Sequence, residues 1–289
     1  MPKSRREFLR LAGYGCVLPA VAALAPAAAG MQKDSTLRPA PGRLDAMPMP
    51  LDRKGFPDAE LARRIKAISN VFEVGKPEPD YAYVENLGDG RGYTVTQYGF
   101  CTYNSEVTQV IRRHLEQVPD SALASFLPEL PPSKWTHGDL EGFPHAWRQE
   151  IHASEHLGQA CDGEADILYF APAMESAISV GVKSPIGLSI FYDTLLQHGA
   201  STDPDSLPSI LKRTLEENGD IDSTSEQEFL RAFLAERRSV LENSANHETR
   251  GVWQASARRV DALLKLLAAN PNLVPPIDVA NADVEAIIL

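Results

Sequence analysis

Cysteine is scarce in this chain, with three in 289 residues. One of them, Cys16, sits in an N-terminal segment unlike the rest. The other two, Cys101 and Cys161, allow a single disulfide or a pair of buried thiols, and they argue against a disulfide-stapled framework. Long apolar runs are also missing. The longest, between residues 11 and 29, falls short of the roughly 20 residues a membrane-spanning helix needs. No internal repeat is visible, and only one stretch reads as strand. Basic residues are in deficit, 28 against 39 acidic, for a net charge of −11. That balance argues against nucleic acid or an anionic membrane as partner. It suits a cationic polymer, or simply keeps an exported protein soluble.

What is present begins with "MPKSRREFLRLAGYGCVLPAVAALAPAAAG". A basic start, an apolar run and the small residues Ala27, Ala28 and Ala29 make a secretory signal. Arg5-Arg6 followed by "EFLR" resembles the twin-arginine export signal. Cleavage is expected after Ala29, with residues 1–29 as leader. An uncleaved anchor is the alternative, disfavoured by the short run. Cys16 lacks a convincing lipobox. Removing the leader takes away four basic residues (Lys3, Arg5, Arg6, Arg10) and one acid (Glu7). The mature chain then has 24 basic and 38 acidic residues, a net of −14. The expected location is outside the cytoplasm, extracellular or periplasmic.

Residues 30–57, rich in Pro, Met and charge, read as a linker. From residue 58 helical patterns dominate. Leu61, Ile65, Ile68 and Phe72 follow i, i+4, i+7, i+11, one face of a helix that Asp58 can cap and Gly75 with Pro77 can end. Further helices are expected near 105–118, 145–160, 170–198, 206–217, 225–243 and 252–269. "YTVTQYGF", residues 93–100, is the one persuasive β-stretch. The fold class is therefore mainly α (α+β), a single domain over 58–289 with one small sheet.

Just before that stretch stands "GDGRG", Gly88 to Gly92. It is no dinucleotide loop, since the spacing is G-x-G-x-G with no buried strand ahead of it. Nor is it an EF-hand, having one acid where alternate oxygen ligands are required. It reads either as a glycine-rich hairpin turn containing Asp89 or as a loop that presents Asp89 for chemistry. Glu73 bears on the choice. It lies in the last turn of the first helix, at the negative end of the helix dipole and beside Phe72 and Val71. Both surroundings disfavour its ionised form and are expected to raise its pKa. Asp89, among backbone N–H groups and next to Arg91, is expected to stay ionised. Two carboxylates pushed apart in this way suit glycoside hydrolysis.

"ISNVFE", "YVENLGDGRGYT", "YGFC", "YDTLLQHG", "FLAERR" and "NPNLVPP" together resemble the family 46 glycoside hydrolases, the chitosanases. The similarity runs from about residue 60 to 276, with Tyr81, Asp89, Arg91, Gly92, Thr94, Tyr98 and Gly99 as its specific core. The resemblance implies a lysozyme-like, two-lobed helical fold with a small antiparallel β-sheet beside an active-site cleft. It implies an endo-acting chitosanase that cleaves β-1,4 linkages of glucosamine with inversion, as a monomer without cofactor or metal. Its substrate, chitosan, is a polycation and fits the acidic chain. In the roles implied, Glu73 is the general acid, Asp89 the general base, and Thr94 the hydroxyl that holds the attacking water. Arg91, Glu106 and Tyr81 fall on the substrate-binding side, Arg91 also organising the loop and Tyr81, with Glu85, supporting it. Asp193, Arg237 and Arg250 match a charge network that orients the acid. On its own residues Arg237, between Glu236 and Arg238, reads instead as part of a solvated helix face.

There are departures from the family pattern. Val74 follows Glu73 where an amide or acid is usual, and Glu106 stands where a substrate-binding Asp is expected. The segment "VGKPEPD" is short. Alternatives remain: a glycosidase for partly acetylated chitosan or peptidoglycan, or a non-catalytic polysaccharide-binding protein. "HASEH", His152 to His156, fits H-x-x-E-H, with two histidines one turn apart on the 145–160 helix. No distal carboxylate is singled out, and a solvated helix face explains it. Trp135, Trp147 and Trp253 could stack on sugars or pack in the core.

Overall fold

The computed structural model describes residues 55–88, 90–131, 140–243 and 250–289. The leader, nearly all of the linker, Asp89 and Trp135 lie outside the described residues.

Helix α1 (Ala59–Val74) begins where the Asp58 carboxylate accepts the Leu61 N–H at 2.8 Å and ends at Gly75, left-handed at φ 79°. Left-handed backbone carries little steric cost for glycine and lets its N–H close on the Val71 carbonyl. Leu61 and Val74 are half-buried, and from Ala67 to Glu73 every residue is buried, Ser69, Asn70 and Glu73 included. The stretch of α1 that carries Glu73 is thus enclosed on all sides.

After α1 comes a three-stranded antiparallel sheet in the order β1 (Val84–Asn86), β2 (Tyr93–Val95), β3 (Phe100–Cys101). Glu85 pairs with Thr94 and Thr94 with Cys101, so these three residues form one cross-strand row. Residues 87–92, which hold the glycine-rich motif, are the β1–β2 loop. The expected strand over 93–100 is really two. Thr96 at φ 58° and Gly99 at φ 73° reverse the chain, and Gly99 N–H returns to the Thr96 carbonyl.

Helix α2 (Ser105–Gln117) packs on β3, and α3 (Phe143–Ala153) packs on β1. A short 3₁₀ helix, Ala122–Glu129, lies between them in sequence. Helix α4 (His156–Ala165) runs through a π-helical turn, Asp166–Phe170, into α5 (Ala171–Ser179). Then α6 (Pro185–His198) crosses the centre, buried almost all round, packed by α1, α5 and the helices that follow. Those are α7 (Leu207–Asn218), α8 (Glu226–Glu242), α9 (Arg250–Ser256) and α10 (Arg258–Ala269). A hairpin of β4 (Ile277–Ala280) and β5 (Glu285–Ile288) closes the chain, β5 lying on α1.

Three expected helices are broken. Ser154, extended at φ −158°, divides 145–160 into α3 and α4. Gly181 at φ 88° and Pro185 divide 170–198, and Ala257 divides 252–269. The molecule is mainly helical with small antiparallel sheets.

Candidate active site

Glu73 stands one residue before the end of α1 and is 1 % exposed. Its Oε1 accepts from Arg259 Nη1 at 3.1 Å, while Oε2 is buried with no hydrogen-bond partner among the described residues. The guanidinium lies 5.4 Å from the centre of the Phe72 ring, a cation–π contact that fixes it against α1. The same Nη1 reaches Asp193 Oδ1 at 3.3 Å. Asp193 Oδ2 in turn accepts from Arg237 Nη2 at 2.6 Å, both side chains fully buried. Carboxylate, guanidinium, carboxylate and guanidinium therefore alternate in sign from α1 through α10 and α6 to α8. Such a line is stable inside a protein because each charge is paired.

The arginine that joins Asp193 to Glu73 is Arg259, a residue absent from the network of Asp193, Arg237 and Arg250 that the resemblance implies. Arg259 was readable: with Leu263 and Leu266 it lies on the i, i+4, i+7 stripe that α10 buries. Arg250 opens α9. Arg237, which the family resemblance places in that network, is fully buried on α8 and not on a solvated face. It falls on the same stripe as Leu230, Phe233, Leu234 and Leu241, all buried. Burial lowers its pKa, opposed by the neighbouring Asp193.

On the sheet, Thr94 is buried in the middle of β2, its Oγ1 3.7 Å from Cys101 Sγ. Arg91, in the β1–β2 loop, donates from Nη1 to the same sulfur at 3.3 Å, and its carbonyl accepts the Tyr103 N–H. Cys101 and Cys161 are both free thiols and both buried. Burial and then the charge of Asp162 push the Cys161 thiol well up, leaving it unreactive. Glu85, across from Thr94, accepts from the Tyr83 hydroxyl at 3.0 Å.

Two residues expected at the substrate have other partners. Glu106 is 4 % exposed, and its Oε2 accepts the Cys101 N–H at 3.1 Å. At the start of α2, it satisfies a strand amide and closes the β3–α2 turn. The Tyr81 hydroxyl donates to Asp162 Oδ2 at 2.6 Å, and Tyr98 donates to Oδ1 of the same carboxylate at 2.6 Å. Burial first, then Asp162, raises the Tyr81 pKa, so the phenol stays a donor. Asp162, on α4, thereby fastens the chain before β1 and the turn after β2. Sequence reasoning missed it, for nothing in "CDGEAD" separates it from its acidic neighbours.

His152 and His156 lie on separate helices, α3 and α4, because the chain is extended at Ser154. The shared face that H-x-x-E-H chemistry needs is therefore absent. Trp147 is core, its Nε1 donating to the Tyr81 carbonyl at 2.8 Å, and Trp253 lies half-buried against His198.

Comparison with known proteins adds the family. The model of glycosyl hydrolase family 46 matches residues 67–277. A chitosanase of Bacillus subtilis (strain 168) is 38 % identical over 224 residues, 75 % of this chain and 80 % of that one. Among solved structures, a family 46 chitosanase of Gynuella sunshinyii in complex with chitotetraose has a TM-score of 0.70 at 34 % identity, covering 81 % of this chain and 99 % of that one. The native chitosanase of Bacillus subtilis MY002 gives the same TM-score and identity, over 80 % and 99 %. The match takes in the end of α1 with Glu73, the glycine-rich loop and the whole charge line to Arg259. The chain belongs to glycosyl hydrolase family 46 and is a glycoside hydrolase with the lysozyme-like fold of that family.

Proposed function

We propose that this protein is an exported, endo-acting chitosanase that cleaves β-1,4 bonds between glucosamine units with inversion. The observation that carries the reading is Glu73: a buried carboxyl with one oxygen held by Arg259 and the other left for a reacting partner. Relatives named chitosanase, one of them solved in complex with chitotetraose, support the substrate. So does the acidic balance of the chain, since protonated glucosamine units carry positive charge.

In this mechanism Glu73 donates its proton to the glycosidic oxygen as the C1–O bond breaks. Asp89 takes a proton from a water held by Thr94, and that water's oxygen bonds to C1 from the opposite face. One displacement inverts the anomeric carbon, and the proton gained by Asp89 balances the one Glu73 gives up. Single displacement needs the two carboxyl groups roughly 6.5–9.5 Å apart, with room for the water. The twin-arginine-type leader supports export of the folded chain, and the mature enzyme is read as a monomer.

Reducing ends released from chitosan by wild type, Glu73→Gln and Asp89→Asn test the assignment. Each substitution is expected to lower the rate by about 10²–10⁴-fold with KM little changed. Proton NMR of the first products should show the α-anomer. Equal rates in all three proteins, or β-anomer as the first product, would sink the mechanism.

A further inference from the structure

The buried line of charge does not stop at Arg237. On α6, five residues beyond Asp193, His198 turns its ring toward α8, and its Nε2 lies 3.3 Å from Arg237 Nε. Its other nitrogen, Nδ1, lies 2.7 Å from the backbone carbonyl of Asp205. Each contact dictates a protonation state. A guanidinium N–H only donates, so Nε2 must be the acceptor; a carbonyl only accepts, so Nδ1 must carry the proton. One form of the ring satisfies both, the neutral Nδ1-H tautomer. An imidazolium would aim an N–H at an N–H and set two cations together.

The surroundings agree. His198 faces Arg237 from α8 and Arg259 from α10, with Asp193 on its own helix, and Trp253 covers the ring at 5.1 Å. Burial, followed by the Arg237 charge, pulls its pKa well below the usual value. Gln197 grips the same arginine, its Oε1 accepting from Nη2 at 2.6 Å while its Nε2 donates to Ser256 Oγ at 2.9 Å. Arg237 is thus held by Asp193, Gln197 and His198, and the group furthest from Glu73 is tied to the backbone of the α6–α7 loop.

We propose that His198 is a positioning residue for the reaction: as a neutral acceptor it holds Arg237, and through Asp193 and Arg259 it fixes the carboxyl of Glu73. The ring never meets the sugar. It sets the orientation of Arg237, which decides where Asp193 puts its second oxygen and hence where Arg259 sits. The inference rests on Glu73 being the general acid, so Glu73→Gln is assayed beside the His198 variants.

The variants are His198→Phe, which keeps the ring volume and loses the acceptor, and His198→Gln, whose side-chain oxygen can accept from Arg237. With a glucosamine oligomer as substrate, at a temperature where every variant is folded, His198→Phe is expected to lower kcat at least tenfold with KM within twofold. His198→Gln is expected to recover most of that loss. In the wild type, imidazole ¹⁵N shifts should show one Nδ1-protonated neutral ring unchanged from about pH 8 to pH 5. Should His198→Phe fail to fold, His198→Gln and the ¹⁵N titration still decide. The proposal is overturned if His198→Phe retains kcat within twofold while Glu73→Gln is inactive, if the two His198 variants lose kcat equally, or if the ring titrates between pH 6 and 7. An active Glu73→Gln would instead overturn the assignment of the acid.

Discussion

Gly92 shows how closely one residue can be specified by its surroundings. It sits at φ 73°, where a side chain is strained, and a Cβ there would lie 2.2 Å from Thr102 Oγ1. That hydroxyl accepts the Tyr93 N–H at 2.9 Å, so it holds the strand in which Thr94 sits. Gly88, four residues earlier in the same loop, has the same φ but nothing within 4 Å of its would-be Cβ. The pair separates backbone strain from collision. Gly88→Ala should cost about 1–2 kcal/mol from the left-handed backbone alone. Gly92→Ala adds the lost Tyr93–Thr102 bond and a forced shift, and should cost roughly 1–3 kcal/mol more. Urea unfolding of both variants checks this, and equal destabilisation would show that the Thr102 contact carries no energy. Because the displaced strand carries Thr94, Gly92→Ala should also lose activity in conditions where Gly88→Ala keeps it.

Between elements, the join that matters for the site is made by Asp162 on α4. Two phenol hydroxyls, from Tyr81 ahead of β1 and Tyr98 after β2, converge on its two oxygens. Both ends of the segment carrying the loop and its strands are therefore tied to one carboxylate. Hydrogen bonds to a charged acceptor contribute about 1.5–3 kcal/mol each. Asp162→Asn keeps the shape but removes the charge and turns an N–H₂ toward one phenol. It should lower stability by roughly 2–4 kcal/mol, which for a domain of this size is a fall in Tm of about 5–15 °C. A double-mutant cycle with Tyr98→Phe should return a coupling well above 0.5 kcal/mol, and a coupling near zero would remove Asp162 as the clamp. The ties between elements were the least legible part of the sequence. Helix α1 could be read with its cap, stripe and stop, because each is a local signal. The helix breaks at Ser154 and Ala257 could not, since neither residue is a strong breaker and packing decides there. Strand β1 is only three residues long, too short for a period-2 pattern to register. At the site, Glu73 and the glycine loop were legible from local pattern, and Arg237 and Arg259 lie on stripes that mark them as buried. Which carboxylate each arginine meets depends on helix crossing, which no spacing along one helix encodes.

At the scale of the molecule, the dominant feature is charge. The full chain carries a net −11, and −14 without residues 1–29, the expected leader, while the substrate proposed for it is a cationic chain. An excess of one sign acts beyond contact distance, drawing an oppositely charged polymer toward the enzyme before any subsite is filled. The Debye length shortens from about 30 Å at 0.01 M salt to about 3 Å at 1 M, so this part of the attraction can be screened away. Raising NaCl from about 0.02 to 0.5 M should therefore lower kcat/KM on long chitosan by roughly tenfold, through KM, with kcat at saturation nearly constant. Local contacts at the subsites would also weaken in salt, so the length of the substrate is the discriminating variable. A field reaching over many residues attracts every charged unit of the polymer, and the slope of log kcat/KM against log salt should steepen as the oligomer lengthens past the cleft. Contacts confined to the cleft would give the same slope for a hexamer as for a polymer. A flat salt response, or slopes independent of length, would reduce the acidic surface to a device for solubility and leave recognition wholly to the residues around Glu73 and the β1–β2 loop.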